Sequence, residues 1–384
     1  MSNKSKADIE VTIPRQNVGQ KIKGLSSLKL VLALIGIFLF FVLAVGGQEA
    51  YRTYKQNQDT LAEFAKKGVT LTDQEQKAKL PSVYQEGVDA AWRFMGRRNL
   101  ETIARQTTIV GMAALGMTLV IISGGIDLSI GSMVALGTVV IAWLLNSVGF
   151  GPLPAVCLAV AVCAVFGLLS GLLITRLKVV PFIVTLGMML VIRGAAKGIG
   201  REQKIDVEPS LLGWTDDLLA SLSKDQSWLL VPVGVWMLIG LAILVAVILR
   251  YSRLGRHTFA LGSNEQTARL CGVAVDRVKV TIYTLCGAFG GLAGLMQFSR
   301  LTVGDPTVAI GLELDVIAAV VIGGGSLAGG EGSILGSLVG ALILTVIASG
   351  CSQMGLPNWV QEIITGGIII AAVALDRWRH RRQV

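Results

Sequence analysis

Runs of about 18 to 25 apolar residues, separated by glycine, proline or charge, recur from residue 28 to the C-terminal end of the chain. At 1.5 Å per residue each helical run crosses a hydrocarbon core of ~30 Å, and only closed backbone hydrogen bonding is tolerated there. Strands of a barrel would instead alternate over roughly ten residues, a pattern missing from this sequence. Composition agrees: 53% of the 384 residues are hydrophobic and only 15% are charged, against roughly a quarter charged in soluble domains. The chain therefore reads as an all-α integral membrane protein.

Windowing gives about ten spans, near 28–46, 107–123, 129–148, 154–174, 180–198, 229–249, 280–299, 312–324, 333–350 and 358–375. The eighth is short, and its polar flanks predict burial inside the bundle. An even count puts both termini on one side. The basic tail over 1–27 and Arg377, Arg379, Arg381 and Arg382 in the tail over 377–384 make that side cytoplasmic by the positive-inside rule. Arg176, Lys178 and the 250–279 loop then fall inside, and the acid-rich segment 199–228 outside. The net charge of +9 reads as topogenic lysine and arginine rather than as a nucleic-acid surface. No small-residue cleavage site follows the first run, which is read as a retained span. The five cysteines show no metal-ligand or disulfide spacing.

Between the first span and the transmembrane core over 107–376 lies a polar stretch, 47–106, predicted to be external and partly helical. Thr72 and Glu75 fit a capping box there, and Tyr51, Tyr54, Leu61, Phe64 and Trp92 are candidates for its apolar face.

Two glycine-acid turns align without gaps. Gly125-Ile-Asp-Leu-Ser lies over Gly311-Leu-Glu-Leu-Asp, which pairs Asp127 with Glu313 and Ser129 with Asp315. Five spans separate equivalent positions, so a 5+5 inverted repeat is expected, with its turns at opposite faces. Each acid precedes an apolar helix, so its carboxylate can cap free N–H groups at the positive helix end. Alternatively, these side chains line or gate a solute route. The glycine run 323–332 lacks the Lys and Ser/Thr of a phosphate loop, and close backbone packing explains it better.

In the loop between the sixth and seventh spans, Ser263 and Gln266 fit a capping box, Glu265 and Arg269 an i,i+4 pair, and Gly272 an αL stop. A two-turn helix is predicted, too short to be stable alone, with Thr267, Leu270 and Cys271 as a mild apolar stripe. Spacing alone fits a membrane-surface connector and a docking element equally.

This loop, the Gly-Gly-Ile-Asp-Leu-Ser turn over 124–129 after Gly116-Met-Thr-Leu-Val-Ile, and Glu313-Leu-Asp-Val-Ile-Ala-Ala-Val-Val-Ile-Gly-Gly together resemble the permease subunits of ribose-type ABC importers. The resemblance runs from about Asn99 to the C-terminal end. It implies a bacterial inner-membrane permease working as a homodimer or pair, with a cytoplasmic ABC ATPase and a periplasmic sugar-binding protein. It also implies that Asn264, Glu265, Thr267, Ala268, Arg269, Leu270 and Gly272 belong to the ATPase-coupling helix. Ser263, Thr267, Cys271, Val316 and Gly325 depart mildly from that pattern, and the 47–98 insertion departs strongly. No cofactor is expected on this chain, because ATP would be used by the partner. An ion-coupled secondary transporter using Asp127, Glu313 or Asp315 is the alternative. An intramembrane enzyme is disfavoured, since His257 and His380 are the only histidines and both lie in basic segments.

Overall fold

The computed structural model describes residues 17–67, 72, 76, 80–220 and 231–381, the side chains of 17–28, 372 and 375–381 excepted. Among these residues the chain is helical, apart from one antiparallel pairing of Ile205–Asp206 with Val303–Gly304. The helices are α1 (Asn17–Lys66), α2 (Val83–Met95), α3 (Arg97–Ile122), α4 (Ile130–Trp143), α5 (Pro152–Leu177), α6 (Pro181–Ile199) and α7 (Pro209–Leu212). They continue with α8 (Val233–Tyr251), α9 (Arg253–Ser263), α10 (Glu265–Leu270), α11 (Val275–Leu301), α12 (Leu312–Ile322), α13 (Ile334–Gln353) and α14 (Asn358–Arg381).

Eight helices among the described residues are long and apolar enough to cross a membrane: α1, α3, α4 with its π-helical extension Leu144–Val148, α5, α6, α8, α11 and α13. The protein is an all-α, multi-spanning membrane protein. The predicted eighth span is the 11-residue α12, which at 1.5 Å per residue reaches only about half of a bilayer core. Residues 358–375 lie within α14.

Burial sorts the helices into two shells. The apolar windows of α3 and α4 are 89% and 83% buried, whereas those of α5, α6 and α8 are 33%, 22% and 28% buried, so α3 and α4 sit inside and the other three face outward. Glycine sets the spacing of the inner layer. A Cβ on Gly294 of α11 would lie 2.9 Å from Val134 O and 3.0 Å from Gly137 Cα of α4, so these backbones touch directly. Such approaches are how membrane helices gain contact where hydrocarbon provides no hydrophobic drive. Thr118 Oγ1 of α3 donates to Ser337 Oγ of α13 at 2.8 Å, and Thr107 and Thr345 share a 2.6 Å hydroxyl bond.

The predicted insertion folds as a helical hairpin. α1 does not stop at residue 46 but continues to Lys66, and α2 returns along it. At their crossing a Cβ on Gly46 would meet Gly87 O at 2.8 Å, and one on Gly87 would meet Gly46 O at 2.9 Å. Phe94 is fully buried, with ring centroids 5.3 Å from Phe38 and 6.3 Å from Phe41. The hairpin's apolar face is thus Gly87, Ala90 and Phe94, while Tyr51, Tyr54 and Trp92 are exposed. The crossing demands small residues, and of the five candidates for the apolar face Leu61 and Phe64 are half-buried while the other three are not. Ser82 caps α2 by accepting from Gln85 N at 3.3 Å. Of the expected Thr72–Glu75 box, Thr72 O accepts from Gln76 N at 2.9 Å, and Glu75 lies outside the described residues.

Candidate functional site

Asp127 lies in the turn between α3 and α4 and is fully buried. Its Oδ1 accepts from Ser129 N at 2.8 Å and from Ser129 Oγ at 2.6 Å, a side-chain turn that sets the entry into α4. Ser129 is the N-cap residue, so the acid acts one step before the helix rather than on its first-turn N–H groups. The adjacent Ile126 carbonyl accepts from Thr185 Oγ1 of α6 at 3.3 Å and from Tyr283 OH of α11 at 3.5 Å. The turn is therefore held from two further helices.

Glu313 occupies the first turn of α12. Its Oε1 accepts from Gly311 N at 3.2 Å, and Gly311 has φ +85°, a conformation that favours glycine. Its Oε2 faces Gly131 in the first turn of α4, where an added Cβ would collide with it and with Ala309 O. The Glu313 carboxylate therefore packs against the start of α4, the helix that follows the Asp127 turn. Asp127 Oδ2, Glu313 Oε2 and the buried Ser132 Oγ accept or donate no well-aligned bond among the described residues, and the Cys286 thiol of α11 lies beside the Asp127 carboxyl. Asp315 is half-buried one position before the buried Val316.

Sequence reading missed three charged groups beside these turns. Arg193 of α6 donates from Nη1 to Pro306 O at 3.0 Å and Val308 O at 2.6 Å, fixing the segment that leads into α12. Asp305 Oδ1 accepts from Thr307 N at 2.8 Å and Thr307 Oγ1 at 2.6 Å, which is the bonding pattern of Asp127 and Ser129. Its Oδ2 pairs with Lys204 Nζ at 3.0 Å. Two signals were available: Arg193 is the first charge inside the apolar run that begins at Pro181, and Asp305-Pro-Thr307 repeats the spacing of Asp127-Leu-Ser129. The ungapped alignment hid the second by pairing Asp127 with Glu313.

Burial pushes the Asp305 carboxyl up, but the Thr307 bonds and the Lys204 ammonium outweigh it and hold the group below the usual carboxylate value. A depressed folded-state value means stabilisation that is present above the unfolded carboxylate value of about 3.9 and is lost as pH falls through the folded value. Thermal melts of wild type and Asp305→Asn should therefore differ at neutral pH and converge as pH falls below about 4. A difference that persists unchanged at acid pH would exclude this contribution.

The loop between α8 and α11 forms α9 and α10. Asn264, not Ser263, caps α10, with its Oδ1 accepting from Thr267 N at 2.8 Å. Ser263 instead ends α9, because Asn264 leaves the helix with φ −164°. α10 is clamped onto the start of α11: Arg269 reaches Glu265 at 3.6 Å and Asp276 at 3.1 Å, and Lys279 reaches Glu265 at 2.8 Å. Gly272 follows with φ +82°, as an αL stop requires. Ala268 is 5% exposed and packs inward, whereas Leu270 is 88% exposed. Thr267, Arg269 and Cys271 are exposed as well.

With this geometry in place, comparison with known proteins decides the class. A profile described as the permease component of the branched-chain amino acid transport system matches residues 99–373. The chain belongs to that permease family. It is 40% identical to the ribose import permease protein RbsC of Escherichia coli strain K12, over 74% of this chain and 87% of that one. It is 39% identical to RbsC of Bacillus subtilis strain 168, over 74% and 86%. It is 35% identical to the xylose transport system permease protein XylH of Haemophilus influenzae, over 76% and 92%. No solved structure matches the chain. As a family permease the protein is a transport subunit rather than an enzyme. The family region holds both acidic turns and the α9–α10 loop, while the α1–α2 hairpin precedes it.

Proposed function

We propose that this chain is the membrane permease of an ABC importer that moves a monosaccharide, a pentose or hexose of the ribose or xylose type, delivered by an external binding protein. Similarity to ribose and xylose permeases over most of the chain supports the substrate class. Two permease copies, or a pair, would enclose the route in a bacterial inner membrane. About ten spans in a 5+5 inverted repeat would then put both termini in the cytoplasm.

The observation that carries the energy-coupling half of this reading is α10. A six-residue helix is not stable by itself, yet this one is capped, ion-paired to α11 and turned so that Leu270 stands free of its own chain. That suits a knob for a groove on an ATPase, with Asn264, Glu265, Thr267, Arg269 and Gly272 shaping it and Ala268 anchoring it. Asp127, Ser129, Glu313 and Asp315 then form or gate the route where α4 and α12 begin. The partner would hydrolyse ATP, and this chain would bind no cofactor.

The second reading, ion-coupled transport, draws on the buried carboxyl oxygens of Asp127 and Glu313. Substrate class is tested by reconstituting the permease with its ATPase and binding protein and measuring ATP hydrolysis with pentoses, hexoses and branched-chain amino acids. Stimulation by a pentose or hexose is expected. Stimulation by an amino acid alone would overturn the sugar assignment.

A further inference from the structure

Three separate segments meet main chain to main chain at the end of α9. A Cβ on Gly262 would collide with Ile122 O, the last residue of α3, and with Gly330 N in the glycine run after α12. Those two segments are themselves joined, since Gly330 N donates to Ile122 O at 2.8 Å. A Cβ on Gly329 would lie 2.7 Å from Gly262 O and 2.9 Å from Gly124 Cα. Gly124, Gly329 and Gly330 have φ of +79°, +88° and +77°, so side chains are disfavoured there on conformational grounds as well. Gly262 has no such backbone reason. It lies inside α9, where alanine would be the better helix former, so its lack of a side chain answers to contact alone.

The junction joins the α10 loop to the segments that carry the acidic turns by main chain alone, whereas the route through α11 runs over the Arg269, Lys279 and Tyr283 side chains. On one side, Gly262 and Ser263 run directly into Asn264, the cap of α10. On the other, Ile122 begins the short turn that contains Asp127, and Gly330 follows α12, whose first turn carries Glu313. The N–H of Gly330 and that of Ser326, which donates to Glu331 O at 3.2 Å, are directed to main-chain carbonyls rather than to a common anion position.

We infer that Gly262 is the positioning residue through which movement of the docked α10 loop reaches both acidic turns at once. The contact is backbone on backbone, with no flexible side chain to absorb a displacement, so shifting α9 by an ångström must shift Ile122 and Gly330 with it. This inference rests on the importer reading above, but it makes a separate claim. Docking belongs to Leu270, and transmission belongs to Gly262.

The test is Gly262→Ala in the full chain, co-expressed with the ATPase and reconstituted with the binding protein. Expected are normal co-purification, retained basal ATP hydrolysis, loss of stimulation by loaded binding protein, and ATP-driven uptake reduced roughly tenfold or more. Gly187→Ala serves as the control, because a Cβ on that α6 glycine meets nothing within 4 Å, and it should transport normally. Should Gly262→Ala fail to assemble, Ser263→Leu places added bulk against Gly330 from the exposed side, and the same uncoupling is expected. Unchanged stimulation and uptake in an assembled wedge variant would overturn the inference. Failure of the wild-type complex to transport with ATP would instead overturn the importer reading itself.

Discussion

Leu270→Asp is expected to abolish co-purification of the ATPase and all ATP-driven uptake, while the permease still inserts and purifies at wild-type yield. Leu270 is 88% exposed in α10 and touches little of its own chain, so folding loses almost nothing when it changes. Placing a carboxylate in an apolar partner groove costs several kcal/mol through desolvation, enough to reduce affinity by roughly a thousandfold or more. Ala268→Arg is a poorer probe. Ala268 is 5% exposed, and a guanidinium there would dismantle the loop before any docking was tested. Normal ATPase recovery with Leu270→Asp would place the docking surface elsewhere. Retention of both the ATPase and Leu270→Asp uptake at wild-type levels would remove α10 from the coupling scheme.

The second large effect is expected at Asp127. Asp127→Ala removes both bonds to Ser129 and leaves its buried N–H and hydroxyl without this acceptor, a loss of about 2–4 kcal/mol. In detergent or nanodiscs this should lower the melting temperature and the folded yield. Asp127→Asn keeps an acceptor oxygen at the Oδ1 position and should retain most of the stability. Its uptake then separates the two duties open to this acid: normal transport leaves it as a fixer of the turn, and lost transport at normal yield assigns it to the route. Wild-type stability in Asp127→Ala would contradict the turn-fixing role derived from its geometry.

Much of this architecture was legible because membrane crossing leaves a strong mark on sequence. Lengths of apolar runs located α5, α6, α8, α11 and α13 to within a helical turn or so at most ends, whereas α3 begins at Arg97, inside the stretch expected to be external. The αL stop at Gly272 and the Glu265–Arg269 pair were legible too, since both depend on local geometry. Capping was less so. Ser263 and Asn264 are adjacent candidates, and the choice of Asn264 follows from where α9 ends, which is a tertiary matter.

What sequence could not carry was depth and proximity. The packing of the Glu313 carboxylate against Gly131 of α4 is a tertiary contact that no spacing within either turn announces. Arg193 was passed over because a single charge barely changes a windowed hydropathy, yet it holds the two carbonyls that direct the chain into α12. The insertion illustrates the same limit. Large aromatics suggested its apolar face, but the Gly46–Gly87 crossing requires its contact face to be small.

In an importer of this kind, transport through the permease is driven by ATP hydrolysis on a partner seated against α10. This coupling is tested most directly by uptake of radiolabelled pentose or hexose into proteoliposomes containing the permease, its ATPase and the binding protein, with ion gradients collapsed by ionophores. Uptake that requires enclosed ATP and survives the ionophores is the predicted result. Uptake that continues without ATP and disappears with the ion gradient would contradict it.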